Sequence, residues 1–294
     1  MTIDRARDEK KCSSCGRPDC PTRPVEGNPA AGMSADDELI RRRLGRIRLK
    51  LLVMSGKGGV GKSTCAVNLA VALARRGHRT GLLDIDIHGP SLPMMLGLET
   101  GQIRVHDGVI QPVEVYGIRA MSVGLALPHP DKAVIWRGPM KASVIRQFVR
   151  DVDWGDLDVL VIDSPPGTGD EPLTMAKLLD CSGHAVIVST PQPVAVTDVR
   201  KSIVFCRQVG LDVRGVIENM SGFVCPHCGV ESPIFETGGA AGMAEEMGVR
   251  FLGRIPIIPA IGRGGDRGHP FALGDAGDPA VKAFDGIVAS VLME

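Results

Sequence analysis

Apolar residues fall into two alternating patterns along this chain. Short unbroken runs such as Leu51-Leu52-Val53-Met54 and Val159-Leu160-Val161-Ile162 have the length and branching of strands buried on both faces. Between them lie stretches with apolar positions every three or four residues, as in Cys65 to Ala74, which is helical spacing. The alternation predicts strands near 51–54, 79–83, 158–163, 184–189 and 213–218. It predicts helices near 65–74, 141–150, 195–208 and 279–292, with an extended pair over Val113 to Met121. Strands alternating with helices imply an α/β fold, with a mostly parallel sheet covered on both faces through right-handed crossovers.

Before Leu39 the pattern fails. Residues 1 to about 45 are polar, carry Pro18, Pro21, Pro24 and Pro29, and have almost no large apolar side chains. That composition predicts a flexible, disordered tail at 1–45 ahead of a folded domain at 46–294. Asp37 to Leu44 reads as a short amphipathic helix leading into the domain.

The first strand runs into Ser55-Gly56-Lys57-Gly58-Gly59-Val60-Gly61-Lys62-Ser63-Thr64, and a helix comes next. Gly56 to Ser63 matches G-x-x-x-x-G-K-[S/T]. Glycines let successive N–H groups turn inward as an anion nest, and the helix N-terminus adds partial positive charge. Lys62 is placed to reach β- and γ-phosphates and the Ser63 hydroxyl to sit on Mg²⁺. Neither residue is needed by a glycine turn that merely joins strand to helix.

Two further strands end in acids. Leu82-Leu83 leads into Asp84-Ile85-Asp86-Ile87-His88-Gly89-Pro90. Beside a nucleotide, Asp86 would orient the attacking water and Asp84 would lie nearer the outer shell of Mg²⁺; apart from one, both are turn formers. The run 158–162 ends in Asp163, followed by Ser164-Pro165-Pro166-Gly167-Thr168-Gly169. That is a strand presenting a carboxylate to the Mg²⁺ shell, then a switch loop near the γ-phosphate.

Lys+Arg and Asp+Glu both number 34, so the net charge is zero, and aromatic residues make up only 3%. Neither figure points to nucleic acid or an anionic membrane as partner. The first residues are charged, and no run approaches the ~18 apolar residues of a membrane span, so a cytoplasmic protein is expected.

The eight cysteines divide by setting. Cys65, Cys181 and Cys206 stand alone among apolar residues and read as small core hydrophobes. Cys12, Cys15 and Cys20 form C-x2-C-x4-C, three candidate ligands for a metal or cluster, or incidental thiols in a tail. Cys225-Pro226-His227-Cys228-Gly229 forms a knuckle that turns both sulfurs one way. Two thiolates cannot close a tetrahedral site; a two-fold axis would supply two more, as would ligands from elsewhere in the chain.

The loop G-K-G-G-V-G-K-S resembles the deviant Walker A motif of the ParA/MinD/nitrogenase-iron-protein class. That likeness implies a P-loop NTPase and a homodimer in which Lys57 reaches the partner's nucleotide. With L-D-I-D-I-H-G-P-S, V-I-D-S-P-P-G-T-G-D, E-N-M-S-G-F-V-C-P-H-C-G and the late I-P-I-I-P, the chain from about 47 to 292 is similar to the Mrp/ApbC iron–sulfur cluster carrier ATPases. The resemblance implies weak ATP hydrolysis, and with the roles read above for Lys62 and Asp86 the expected catalytic residues are Lys57, Lys62 and Asp86. It implies a 4Fe–4S cluster bridged between Cys225 and Cys228 of two copies. A scaffold or donor would load the cluster, and apo iron–sulfur proteins would receive it. It further implies Asn219 at the adenine, with Pro256 and Pro259 near the base. The N-terminal cysteines are similar to a four-cysteine motif of the eukaryotic cytosolic branch, at altered spacing and one cysteine short. The rival readings are a ParA/MinD-type positioning ATPase and a P-loop protein whose Cys225 and Cys228 hold structural zinc.

Overall fold

Leu51, Leu52, Val53 and Met54 are each at most 1% exposed and run down the middle of one large sheet. The computed structural model describes residues 34–99, 103–126, 138–225, 227–235 and 238–293. Cys12, Cys15 and Cys20 lie outside the described residues.

In chain order the elements are α1 (Ala35–Gly45), β1 (Ile47–Ser55), α2 (Lys62–Arg75), β2 (Thr80–Asp84), α3 (Leu92–Met95), β3 (Arg104–His106), β4 (Val109–Gln111), β5 (Val113–Val115) and β6 (Ile118–Ser122). They continue with α4 (Val123–Ala126), α5 (Gly138–Asp151), β7 (Leu157–Asp163), α6 (Asp170–Leu179), β8 (Gly183–Ser189), α7 (Pro193–Gln208) and β9 (Asp212–Val224). The last are β10 (Glu231–Ser232), α8 (Gly239–Glu246), β11 (Phe251–Ile257), α9 (Pro259–Asp266) and α10 (Pro279–Leu292).

The large sheet has the order β10-β9-β8-β1-β7-β2-β6-β5, with β11 also paired to β9. Its pairings are parallel except β5 on β6 and β10 on β9. Alternate side chains of a strand face opposite ways, so β1 feeds two cores. Leu51 and Val53 pack with α2 and α10 on one face. Leu52 and Met54 pack with α1, α5, α6, α7 and α8 on the other. The expected α/β P-loop architecture is therefore the one present. No helix among the described residues is long and apolar enough to cross a membrane.

Three expectations need correcting. Residues 35–45 are not tail: α1 buries Ile40 and Leu44 in the core and pairs Arg43 with Asp153 at 2.6 Å. Ser34 caps its first turn by accepting from the Asp37 N–H. The amphipathic spacing was there, but its partner surface on α5 lies about a hundred residues downstream in sequence. Next, the helix expected from 141 begins at Gly138, because Pro139 in the first turn lacks only an N–H that a helix leaves unpaired there. Finally, β9 does not stop at 218 but continues to Val224, since β10 and β11 both pair with its far end.

Candidate nucleotide site and thiol hairpin

All the acid-ended strands point their C-termini to one edge of the sheet. There β1 lies between β7 and β8, and β2 is the neighbour of β7. Such an edge is where open α/β sheets bind ligands. The loop between β1 and α2 surrounds a cavity of about 320 Å³, lined by residues 57–64 with Ser55, Asp86 and Pro166.

Backbone conformation makes the nest. Gly59 and Gly61 have φ of 79° and 78°, the left-handed region that costs an L side chain and spares glycine. Gly61 is also the N-cap of α2 and offers no side chain, so no side chain closes the helix start. Its free N–H groups and dipole face the cavity, an arrangement suited to phosphate. Gly56 is required for another reason: a Cβ there would lie 2.5 Å from backbone and Cβ atoms of Asp198 on α7.

Lys62 is 7% exposed and donates to Asp163 Oδ1 at 2.5 Å and to Ser63 Oγ at 3.1 Å. The other oxygen, Asp163 Oδ2, is buried with no hydrogen-bond partner. An orphaned carboxylate oxygen beside a serine hydroxyl is a donor set that fits Mg²⁺, a hard cation taking oxygen ligands. Burial pushes Asp163 upward in pKa, and the Lys62 ammonium opposes it.

Asp84 pairs in register with Asp163 on one side and with Ser122 on the other. It accepts from Ser122 Oγ and from the Asp86 N–H, both at 2.9 Å. Burial first, and the Asp163 charge second, push Asp84 to about 8. A buried acid with no cation of its own keeps its proton at neutral pH. Asp86 instead lines the cavity, half-buried, with its carboxylate accepting from the Gly89 N–H at 3.2 Å.

The loop after β7 is tied to β1. Ser164 Oγ donates to the Val53 carbonyl at 2.9 Å, and the Gly167 N–H to Ser55 at 2.8 Å. Pro166 is thereby held at the cavity rim. Farther on, Glu171 is buried against Lys141 of α5 at 2.8 Å. Ser122, Asp198 and Lys141 carry no motif of their own; only strand register and helix packing bring them here.

On the opposite flank, Asn219 Nδ2 donates to the Val60 carbonyl at 2.9 Å. Its amide lies so close to Gly61 that a Cβ there would sit 2.2 Å away. Pro256 is next to Ile255, the register partner of Asn219, so both face the same end of the sheet. Lys57 lines the cavity of its own chain.

Cys225 and Cys228 stand at the turn of the β9–β10 hairpin, half-buried and exposed respectively. The Cys225 N–H donates to the Val230 carbonyl at 3.0 Å, and the Gly229 N–H to Cys225 at 2.9 Å. Hydrogen bonds from the N–H groups of His227 and Cys228, then from the Cys228 thiol, hold the Cys225 pKa below the usual thiol value. A lowered pKa favours the thiolate, the form that binds metals. His227 is exposed. Among the described residues no three His, Cys, Asp or Glu side chains gather closely enough to hold a metal. The isolated cysteines behave as expected: Cys65, Cys181 and Cys206 are buried, with Cys65 and Cys206 pushed to about 12, chiefly by burial.

Residues 46–292 match the family model described as ParA: NUBPL iron-transfer P-loop NTPase. Among solved structures, the chain is similar to the nucleotide-binding protein from Archaeoglobus fulgidus, solved in complex with ADP and with cobalt found by PIXE. The two share 40% identity over 81% of this chain and 94% of that one, with a TM-score of 0.72. The cell division ATPase MinD of Pyrococcus furiosus is 23% identical, over 83% of this chain and 98% of its own, with a TM-score of 0.61. The septum site-determining MinD of Pyrococcus horikoshii, complexed with Mg-ADP, is 24% identical, over 84% and 96%, at 0.60. These last two show a shared fold.

Proposed function

The chain belongs to the NUBPL iron-transfer P-loop NTPase family, and on that premise we propose that it hydrolyses ATP and carries an iron–sulfur cluster to apo-proteins. The cluster is cargo, held between the Cys225 and Cys228 thiols of two copies. The observation that carries this reading is the hairpin: two thiols at one turn, one with a depressed pKa, and no third ligand beside them among the described residues. A cube of four irons with four thiolate ligands needs twice what one chain offers there. A second copy supplies the rest by symmetry.

At the nucleotide, the α2 N-terminus and the residues 58–61 cradle the phosphates. Lys62 exchanges Asp163 for the β- and γ-phosphates, and Asp163 and the Ser63 hydroxyl are the oxygen donors that would hold Mg²⁺. When bound, Mg²⁺ offsets phosphate charge. Asp86, lining the cavity, accepts from the attacking water and orients it. Lys57 crosses to the nucleotide of the second copy, while Asn219 and Pro256 flank the base. Loading is from a scaffold or donor, and hydrolysis resets the dimer.

Anaerobic reconstitution with iron and sulfide, followed by transfer to an apo-enzyme, tests this. The expected result is about four irons per two chains at Cys225 and Cys228, and recovery of the apo-enzyme's activity. Cys225→Ala and Cys228→Ala each lose both while ADP binding persists. Zinc retained at the hairpin, with no iron taken up, would overturn the carrier reading.

A further inference from the structure

One strand, β9, carries the brace on the phosphate loop and leads directly into the thiol turn. Asn219 holds Val60 and touches Gly61; six residues later, just past the end of the strand, comes Cys225. Between them lies Met220 with φ of 59°, left-handed and not glycine. The β11 partner strand registers the same break. Ile255 pairs with Asn219 and Ile257 with Phe223, so β9 spends four steps where β11 spends two. Extra residues in one strand make a bulge, which bends the strand and re-aims the segment beyond it. Beyond this bulge lies the thiol hairpin. Its base is paired, Glu231 with Val224 and Ser232 with Phe223.

A bulky residue held left-handed persists only where its surroundings over-determine it, and such residues gather at switches. Met220 is part-buried and fixed on either side: Asn219 before it is tied to the Val60 carbonyl, and Phe223 after it is paired with Ile257 of β11. Phosphate in the nest would be bound by the N–H groups of residues 58–61, and the bond from Asn219 to the Val60 carbonyl ties β9 to that same loop. A non-glycine residue at φ 59° has little conformational freedom, so it is a stiff joint between Asn219 and the thiol turn.

We propose that Met220 is a positioning residue: the hinge through which nucleotide in the phosphate loop sets the exposure of the Cys225 and Cys228 thiols. The proposal rests on the nucleotide reading of that loop and is independent of the cluster. By reciprocity, a ligand that binds the thiols alters nucleotide affinity by the factor by which nucleotide alters that ligand's affinity.

The test is the alkylation rate of Cys225 by iodoacetamide in the full chain, read residue by residue by mass spectrometry, with and without saturating Mg-ADP. Wild-type protein should change its Cys225 rate by about fivefold or more on binding Mg-ADP. Met220→Gly relaxes the left-handed joint; it should bind Mg-ADP within about twofold of wild type yet lose the change in thiol rate. Met220→Asn, which tolerates the same backbone, should keep it. A wild-type chain that binds Mg-ADP without altering Cys225, or a glycine variant with an undiminished response, overturns the hinge. Failure to bind Mg-ADP sinks the nucleotide reading together with it. An intact response in protein that takes up no iron sinks the cluster reading alone.

Discussion

Lys62 and Asp163 meet at 2.5 Å where neither side chain sees much solvent, and on the proposed reading Lys62 leaves that contact for phosphate. Lys62→Ala is therefore expected to abolish hydrolysis and weaken ATP binding, because among the described residues Lys57 is the one other lysine lining the cavity. Lys57→Ala should leave ATP affinity nearly unchanged while turnover drops by at least about tenfold, as for a cation supplied across an interface. Wild-type turnover in that variant would show that Lys57 acts only within its own chain. Asp84 sets a pH dependence. Its folded pKa of about 8 exceeds the unfolded 3.8, so the folded chain holds the extra proton between those values. The stabilising contribution is complete below about pH 4, falls as pH rises through the window, and is gone above about pH 8. Asp84→Asn should flatten this part of the profile and raise stability at the alkaline end. Urea midpoints of nucleotide-free protein at several pH values, compared with wild type, measure it.

Among the elements, α1 and α7 do work that their sequences do not announce. The Ile40 and Leu44 side chains of α1 belong to the core under the sheet, and Asp36 and Asp37 reach Arg150 and Arg146 of α5. Ile40→Ala should cost about 2–4 kcal/mol through lost burial and an unfilled cavity, read as a lower denaturation midpoint. The exposed ion pairs add little by comparison. A chain beginning at Ser34 should match the full chain in midpoint, whereas one beginning at Ile47 should fall by more than the single substitution. α7 backs the phosphate loop so closely at Gly56 that alanine has no room. Gly56→Ala should push loop and helix apart and weaken nucleotide binding more than it lowers the denaturation midpoint.

Taken whole, the chain has two sites that a single copy leaves incomplete on the reading proposed. Lys57 acts across an interface, and the hairpin holds half a thiolate set. Both demands are met by one two-fold arrangement. Iron-loaded protein should accordingly sediment as a dimer, with iron and mass rising together, and Cys225→Ala/Cys228→Ala should be free of iron at the hairpin. A chain starting at Ser34 makes the measurement clean, since it lacks Cys12, Cys15 and Cys20. A monomer of that chain carrying a full cluster would refute the bridged dimer. Loss of iron on removing residues 1–33 from wild type would assign cargo to the N-terminal cysteines as well.

The chemistry that neighbours in sequence can build was legible from the chain alone. A phosphate nest needs glycines, a lysine and a helix start in one short run, and a thiol pair needs two cysteines across a turn; covalent spacing sets both. The strand and helix alternation likewise fixed the parallel sheet, because burial on both faces leaves an unbroken apolar run. Contacts between distant segments were not legible. Lys62 finds Asp163 across 101 positions, and Asp84 finds Ser122 across 38. Hydrogen bonds reach only about 3 Å, so which acid gains a cation and which keeps a proton depends on strand order and register. The same holds for α1, an amphipathic stripe until α5 covers it, and for β9, whose bulge at Met220 exists only against β11. Local spacing chose the reactive groups; tertiary packing decided how they are charged, braced and linked.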